Sequence, residues 1–288
     1  MTIDIKGHSG CSIDIIEDND NLYVKKSTTD KKYLNRLALQ GSKQKTDPAL
    51  CDGILTPEIL ELKSTENECY ILMEYIYAKN FIDYFESASP KDIDHFINVF
   101  ENYINKELTL CVSEDISKNI FIDKFNSIVK NCENNNLTKN NNRVKTILDD
   151  CEENFINKLP NVLKMPIGKC HGDLTFSNIL FTSTNYYFID YLDSFIETPI
   201  QDIVKLRQDT KYFWSIMMYQ KKYDSIRLNM IFKYIDNKIN DYFFNNCKYY
   251  YQLYDRLQLM NILRILPYVK EEKIRDFVLN ILASLPKY

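Results

Sequence analysis

His171-Gly172-Asp173-Leu174-Thr175-Phe176-Ser177-Asn178 sets a carboxamide five residues after a carboxylate, in a stretch opened by His and Gly. Seventeen residues beyond Asp173 stands a second carboxylate, Asp190, at the end of the apolar run Tyr186-Tyr187-Phe188-Ile189. Phosphoryl transfer from a nucleotide needs these parts in this order. One carboxylate orients and deprotonates the attacking hydroxyl, and an amide oxygen with a second carboxylate holds the metal that bridges the phosphates. Asp, Thr, Ser and Asn are also ordinary turn residues, so the competing reading is a polar turn before a buried strand. The ordered set of Asp173, Asn178, strand and Asp190 favours the chemical reading.

Outward from this stretch, the bulk sequence narrows the possibilities. A chain of 288 residues can hold two lobes with their own cores. The net charge is −4, and the Lys pairs at 25–26, 31–32 and 221–222 form no basic stripe, so no nucleic-acid partner is expected. Eight cysteines, at 11, 51, 69, 111, 132, 151, 170 and 247, contain no C-x-x-C, and reduced thiols are expected rather than a disulfide framework or a zinc site. Met-Thr-Ile-Asp-Ile-Lys lacks a basic region followed by an apolar one, and no apolar run reaches membrane-spanning length. A soluble cytoplasmic protein with no membrane partner is the expectation. Only six glycines occur, and Gly7, Gly10, Gly168 and Gly172 lie near the candidate sites, where unusual backbone angles or close ligand approach are expected. The Asn-rich stretch 131–142 reads as a mobile connection between helices.

Residues 1–77 read as strand-rich with one helix. Cys11–Ile16 and Leu22–Lys25 form a hairpin around the turn Asn19-Asp20-Asn21, Lys31–Lys45 carries Leu34, Leu37 and Ala38 on one helical face, and Ile59–Leu62 pairs with Cys69–Met73. From 78 to 288 the period turns helical: Ile93–Leu110, Asn119–Cys132, Val144–Leu159 and most of Ile200–Leu285. The expected domains are therefore 1–77, nucleotide-binding, and 78–288, a helical lobe with the catalytic loop and acceptor site.

This order, with His171-Gly172-Asp173, Asn178 and then Ile189-Asp190-Tyr191-Leu192-Asp193, resembles the aminoglycoside phosphotransferase and choline kinase superfamily. The resemblance implies an α+β, bilobal protein-kinase-like fold with a small β-rich N-lobe and a larger helical C-lobe. It implies a kinase that uses ATP and magnesium on a hydroxyl of a small metabolite: an amino alcohol such as choline or ethanolamine, an amino sugar or a sugar. Protein kinases usually carry Arg before the catalytic Asp and Phe-Gly after the metal Asp; here stand Gly172 and Tyr191-Leu192. A protein kinase, or an inactive nucleotide-binding protein of the same fold, is the alternative.

By the resemblance, Asp173 is the catalytic base, His171 braces its loop, and Asn178 and Asp190 ligate magnesium, a hard cation suited to oxygen donors. Met73-Glu74-Tyr75-Ile76 looks like a hinge whose Glu74 carbonyl and Ile76 amide pair with adenine. Gly7, Ser9 and Gly10 lie where a phosphate-covering loop belongs. The phosphate-binding lysine is Lys25 or Lys26; their side chains point to opposite faces, and Lys25 is preferred. The family's helix after this strand normally supplies a Glu to that lysine, but none occurs between Thr29 and Thr46; Gln40, Gln44 or Glu58 could stand in. Asp202 is expected at a helix start, bonded to the catalytic loop. Asp193, Arg207, Asp209 and Trp214 are the expected acceptor contacts, suited to a cationic alcohol through carboxylates and aromatic rings, or to an acidic sugar through Arg207.

Overall fold

The computed structural model describes residues 11–45 and 49–286. Its strands are β1 (Ser12–Asp18), β2 (Asn21–Thr28), β3 (Ala49–Cys51), β4 (Ile54–Leu55), β5 (Ile59–Ser64), β6 (Cys69–Glu74), β7 (Val112–Ser117), β8 (Val162–Ile167), β9 (Ile179–Phe181) and β10 (Tyr186–Phe188). The helices are α1 (Lys31–Lys45), α2 (Phe81–Ser87), α3 (Pro90–Leu110), α4 (Asn119–Cys132), α5 (Asn142–Asn154), α6 (Ile200–Tyr212), α7 (Trp214–Met217), α8 (Ser225–Asn246), α9 (Lys248–Leu263) and α10 (Glu272–Ser284). The fold is α+β and protein-kinase-like, with a small N-terminal sheet and a larger helical C-terminal part.

Two compact units divide the chain. The first holds residues up to 106 together with 171–194 and 222–231; the second holds 107–170, 195–221 and 232 onward. The boundary expected at 77/78 follows the change from strand to helix along the sequence. The units are drawn differently because β9 and β10 join the sheet of β3 and β4, and α2 and the first turns of α3 pack beneath it.

In the first unit a sheet of order β1-β2-β6-β5 is antiparallel throughout. Asn19 and Asp20 both have positive φ, 49° and 61°, as a two-residue hairpin turn of type I′ requires. Helix α1 buries Leu34, Leu37, Gln40, Gly41 and Gln44, one stripe of a 3.6-residue period. Leu34 and Leu37 pack into a core with Ile59, Cys69, Ile71 and Met73, and Val24 of β2 lies against it. A second sheet, β3-β4-β10-β9, sets β10 parallel to β4 and antiparallel to β9. Phe81, Phe85, Phe96 and Phe181 surround Phe176, with ring centroids 5.1–6.4 Å from it. Phe176 belongs to the His171–Asn178 stretch and is fully buried. Burying such a ring contributes about 1.5–3 kcal/mol, against about 1–2 kcal/mol to order each backbone residue, so Leu174 and Phe176 together offset part of the cost of ordering this loop.

The second unit is built on α6, whose residues 200–210 are all buried. Its buried polar groups are paired in part: Gln201 Oε1 accepts from Asn261 Nδ2 at 2.6 Å, whereas Gln201 Nε2 and Gln208 Oε1 meet no hydrogen-bond partner among the described residues. Strands β7 and β8 form a two-stranded antiparallel sheet. The Asn-rich stretch expected to be mobile is instead bonded into this unit. Asn135 Nδ2 donates to Pro267 O and Val269 O at 3.0 and 2.8 Å, Thr138 is buried, and Asn141 caps α5 by accepting from Val144 N. No disulfide joins the cysteines among the described residues. Among the described residues no helix is long and apolar enough to cross a membrane.

Candidate active site

Residues 171–178 run as an extended loop ending in a 3₁₀ turn, Phe176–Asn178, that leads straight into β9. Gly172 has φ +85°, and a Cβ there would lie 2.1 Å from Leu192 O. Only glycine meets both conditions, because the left-handed region and the closeness of backbone 192 each exclude a side chain. The two segments are stitched together by Leu192 N donating to His171 O at 2.9 Å.

His171 is fully buried. Its Nε2 lies 2.7 Å from Ile189 O, and its Nδ1 accepts from Asp173 N at 3.2 Å. Those partners assign a neutral ring with its proton on Nε2. The imidazole thus ties the loop before Asp173 to the strand end before Asp190. Burial pushes its pKa down to about 4, and the nearby Asp173 carboxylate only partly opposes this. The folded protein therefore resists the proton that the unfolded chain accepts near pH 6.5. Stability should be unaffected by this group above pH 6.5 and should fall as the pH drops from 6.5 to about 4, by on the order of 3 kcal/mol. Urea unfolding across that range checks this, and the corresponding slope should flatten in His171→Gln.

Asn178 Nδ2 donates to Asp173 O at 2.7 Å and to Asp173 Oδ2 at 3.3 Å. With the amide nitrogen so engaged, the amide oxygen is the atom left for a ligand. Backbone bonding joins Ile189 N to Asn178 O at 3.0 Å, so Asn178 stands beside the strand that delivers Asp190. Asp190 itself has φ 63°, a left-handed conformation that Asp tolerates better than most residues and that recurs at functional sites.

Asp190 Oδ1 lies 2.7 Å from Lys26 Nζ. Lys26 is 2% exposed and also donates to Gln40 Oε1 at 3.3 Å. Lys26, rather than the preferred Lys25, is thus the lysine bonded to Asp190. Lys26 shares the face of β2 that carries Val24 against the α1 core, whereas Lys25 sets its Nζ 4.4 Å from the centroid of the Tyr70 ring. Of the three stand-ins considered for the missing Glu, Gln40 is the one at the lysine. Gln44 Nε2 donates to Pro57 O, and Glu58 is exposed. Lys43, which the sequence reading did not consider, donates to Leu192 O at 2.8 Å. Its signal was helical spacing, three residues after Gln40 on the same face of α1.

The remaining expected site residues fall as follows. Glu74 ends β6, and its Oε1 accepts from Glu58 N; Ile76 follows in irregular chain and is half-buried. Gly7, Ser9 and Gly10 lie outside the described residues. Asp193 is exposed, and Trp214 is half-buried at the start of α7. Asp202 is wholly buried in the first turn of α6. Arg207 and Asp209, the other two expected acceptor contacts, are interior groups of the second unit. Arg207 is 4% exposed and donates to Asp236, Asn240 and Tyr250; Asp209 accepts from Ser215 N and Oγ at 2.6 and 2.9 Å.

Among the described residues no group of three or more His, Cys, Asp or Glu gathers as a metal cage. Magnesium does not require one, since it commonly takes one or two protein oxygens and shares phosphate oxygens and water. The Asn178 amide oxygen and the half-buried Asp190 carboxylate fit that donor chemistry.

The chain shares its fold with solved aminoglycoside phosphotransferases and with a putative fructosamine kinase. One similar solved structure is the putative fructosamine-3-kinase from Haemophilus somnus 129PT, at 12% identity, TM-score 0.56, covering 98% of this chain and 90% of that one. Another is the streptomycin–ATP–APH(2")-IIa ternary complex, at 14% identity, TM-score 0.59, covering 97% and 90%. A thermostable mutant of the aminoglycoside phosphotransferase APH(4)-Ia, in ternary complex with ADP and hygromycin B, matches at 9% identity, TM-score 0.59, covering 99% and 92%. The sequence matches no protein-family model and no curated protein.

Proposed function

We propose that this chain is a small-molecule kinase that transfers the γ-phosphoryl group of ATP to a hydroxyl of a small metabolite. The observation that carries the reading is the presence in one unit of two bonded pairs, Asn178 with Asp173 at 2.7 and 3.3 Å and the buried Lys26 with Asp190 at 2.7 Å, linked through Ile189 N donating to Asn178 O at 3.0 Å. In it Asp173 accepts the proton of the acceptor hydroxyl as that oxygen attacks the γ-phosphorus and ADP leaves. Lys26 binds the nucleotide phosphates as a point charge. The Glu74 carbonyl and Ile76 amide receive the adenine edge. Asn178 and Asp190 hold magnesium, which when bound neutralises charge on the phosphates. His171 holds the carboxylate-bearing loop against the strand end. Asp193, in the same unit as Asp173, is the acceptor contact retained, and the solved neighbours that carry hygromycin B or streptomycin support an acceptor of small-molecule size.

The test is acceptor-dependent release of ADP from magnesium–ATP across amino alcohols, amino sugars, sugars and nucleosides. Release with one of these classes is the expected result. Phosphorylation of a protein acceptor with none of the small alcohols would replace this reading by a protein kinase. Nucleotide binding without turnover on any acceptor would replace it by a binding protein.

A further inference from the structure

We propose that Gln40 is a positioning residue that leaves Asp190 as the only carboxylate at Lys26 among the described residues, and thereby couples metal binding at Asp190 to phosphate binding at Lys26. This deepens the kinase reading and rests on it. Among the described residues, the groups bonded to Lys26 Nζ are Asp190 Oδ1 at 2.7 Å and Gln40 Oε1 at 3.3 Å. Lys26 is 2% exposed and Gln40 is 7% exposed, so water screens neither well. A buried ammonium needs a counter-charge, and a neutral amide offers only a dipole. Asp190, whose side chain is 38% exposed, is therefore both the counter-charge and the carboxylate reached from solvent.

Two cations thus compete for one carboxylate. A divalent ion arriving alone at Asp190 would withdraw the charge that Lys26 relies on and would add two positive charges beside it. Phosphate oxygens at Lys26 remove that penalty by supplying negative charge in its place. Metal and nucleotide then assist each other through Lys26, in addition to the bonds they make directly to one another. A carboxylate at position 40 would give Lys26 a private counter-charge and release Asp190. Gln to Glu is nearly isosteric, so the variant tests charge with little change of packing.

The experiment uses the full chain with Mn²⁺ as a paramagnetic probe, titrated by electron spin resonance without nucleotide, and AMP-PNP titrated calorimetrically with and without Mn²⁺. Coupling energies of this kind correspond to about 5–150-fold in affinity. Gln40→Glu is expected to bind Mn²⁺ alone about 10-fold more tightly than the unmodified chain and metal-free AMP-PNP about 10-fold more weakly. Lys26→Met removes the competing cation and is expected to tighten Mn²⁺ binding as well, which keeps the test open if Gln40→Glu does not fold. Unchanged Mn²⁺ affinity in both variants overturns the coupling. Tightening in Lys26→Met with none in a folded Gln40→Glu overturns the role of Gln40. If the unmodified chain binds no Mn²⁺–AMP-PNP at all, the kinase reading itself fails, an outcome distinct from either.

Discussion

Asp173→Asn is expected to slow phosphoryl transfer by about 10²–10⁴-fold, the usual contribution of a positioned base, while nucleotide binding in the presence of magnesium stays nearly unchanged. The substitution keeps the shape of the side chain and every backbone bond of the loop. Asp173 O still accepts from Thr175 N at 2.8 Å and from Asn178 Nδ2 at 2.7 Å, and Asp173 N still donates to His171 Nδ1. The amide of the new residue can present its oxygen to Asn178 Nδ2, now 3.3 Å from Asp173 Oδ2. Only the capacity to take a proton is removed. Single-turnover kinetics with a saturating acceptor would show the loss, and calorimetry with AMP-PNP would show the retained affinity. Collapse of both together would mean that Asp173 holds the metal or the fold rather than the proton.

The elements around this site were legible where a period or a turn signal ran long enough. The β1–β2 hairpin announced itself in Asn19-Asp20-Asn21, residues that tolerate the left-handed angles the turn adopts. Helices α3 and α4 and strands β5 and β6 follow their apolar spacing closely. Strands β3, β4 and β9 were missed because two or three residues cannot display a two-residue alternation. Their partner β10 is parallel to β4 across more than 130 residues of sequence, a pairing with no local signature. The sheet of β7 and β8 escaped for a similar reason, since Val112–Ser117 is largely exposed and polar. The Asn-rich stretch misled because composition reports only what a segment lacks in apolar surface. It does not reveal that a single Asn135 amide can bridge two carbonyls near residue 268.

The choice between Lys25 and Lys26 shows how near the sequence came. Strand alternation said that only one could face inward, and Val24, two residues before Lys26, was the apolar residue marking the α1 side. The acceptor side was harder. Asp, Arg, Tyr and Trp concentrated between 193 and 219 look alike whether they line a site or satisfy one another inside a helix bundle. Only the pairing partners, 29 to 43 residues away in sequence for Arg207, separate the two cases.

Arg207→Met is accordingly expected to cost about 3–5 kcal/mol of stability, roughly a 10 °C fall in Tm, with no change in acceptor KM at temperatures where the variant is folded. Burial by itself would drive the Arg207 charge toward neutrality. The bonds from Asp236, with Tyr254 and Tyr250 alongside, reverse that and hold its pKa above the ordinary arginine value. Arg207 Nε and Nη2 donate to the two carboxylate oxygens of Asp236 at 2.9 and 2.8 Å, and its face lies 4.4 Å from the Tyr254 ring centroid. Methionine fills much of the volume but leaves Asp236 nearly buried without its cation, and that orphaned carboxylate is the main source of the loss. Thr210 Oγ1, which donates to Asp236 Oδ1 at 2.9 Å, is the partner that remains. Replacing both members, Arg207→Met with Asp236→Leu, should recover most of the stability, because two apolar groups in contact need no counter-charge. A double-mutant cycle by thermal and urea unfolding measures this directly. A raised acceptor KM in a fully folded Arg207→Met, with little loss of stability, would instead return Arg207 to the acceptor site.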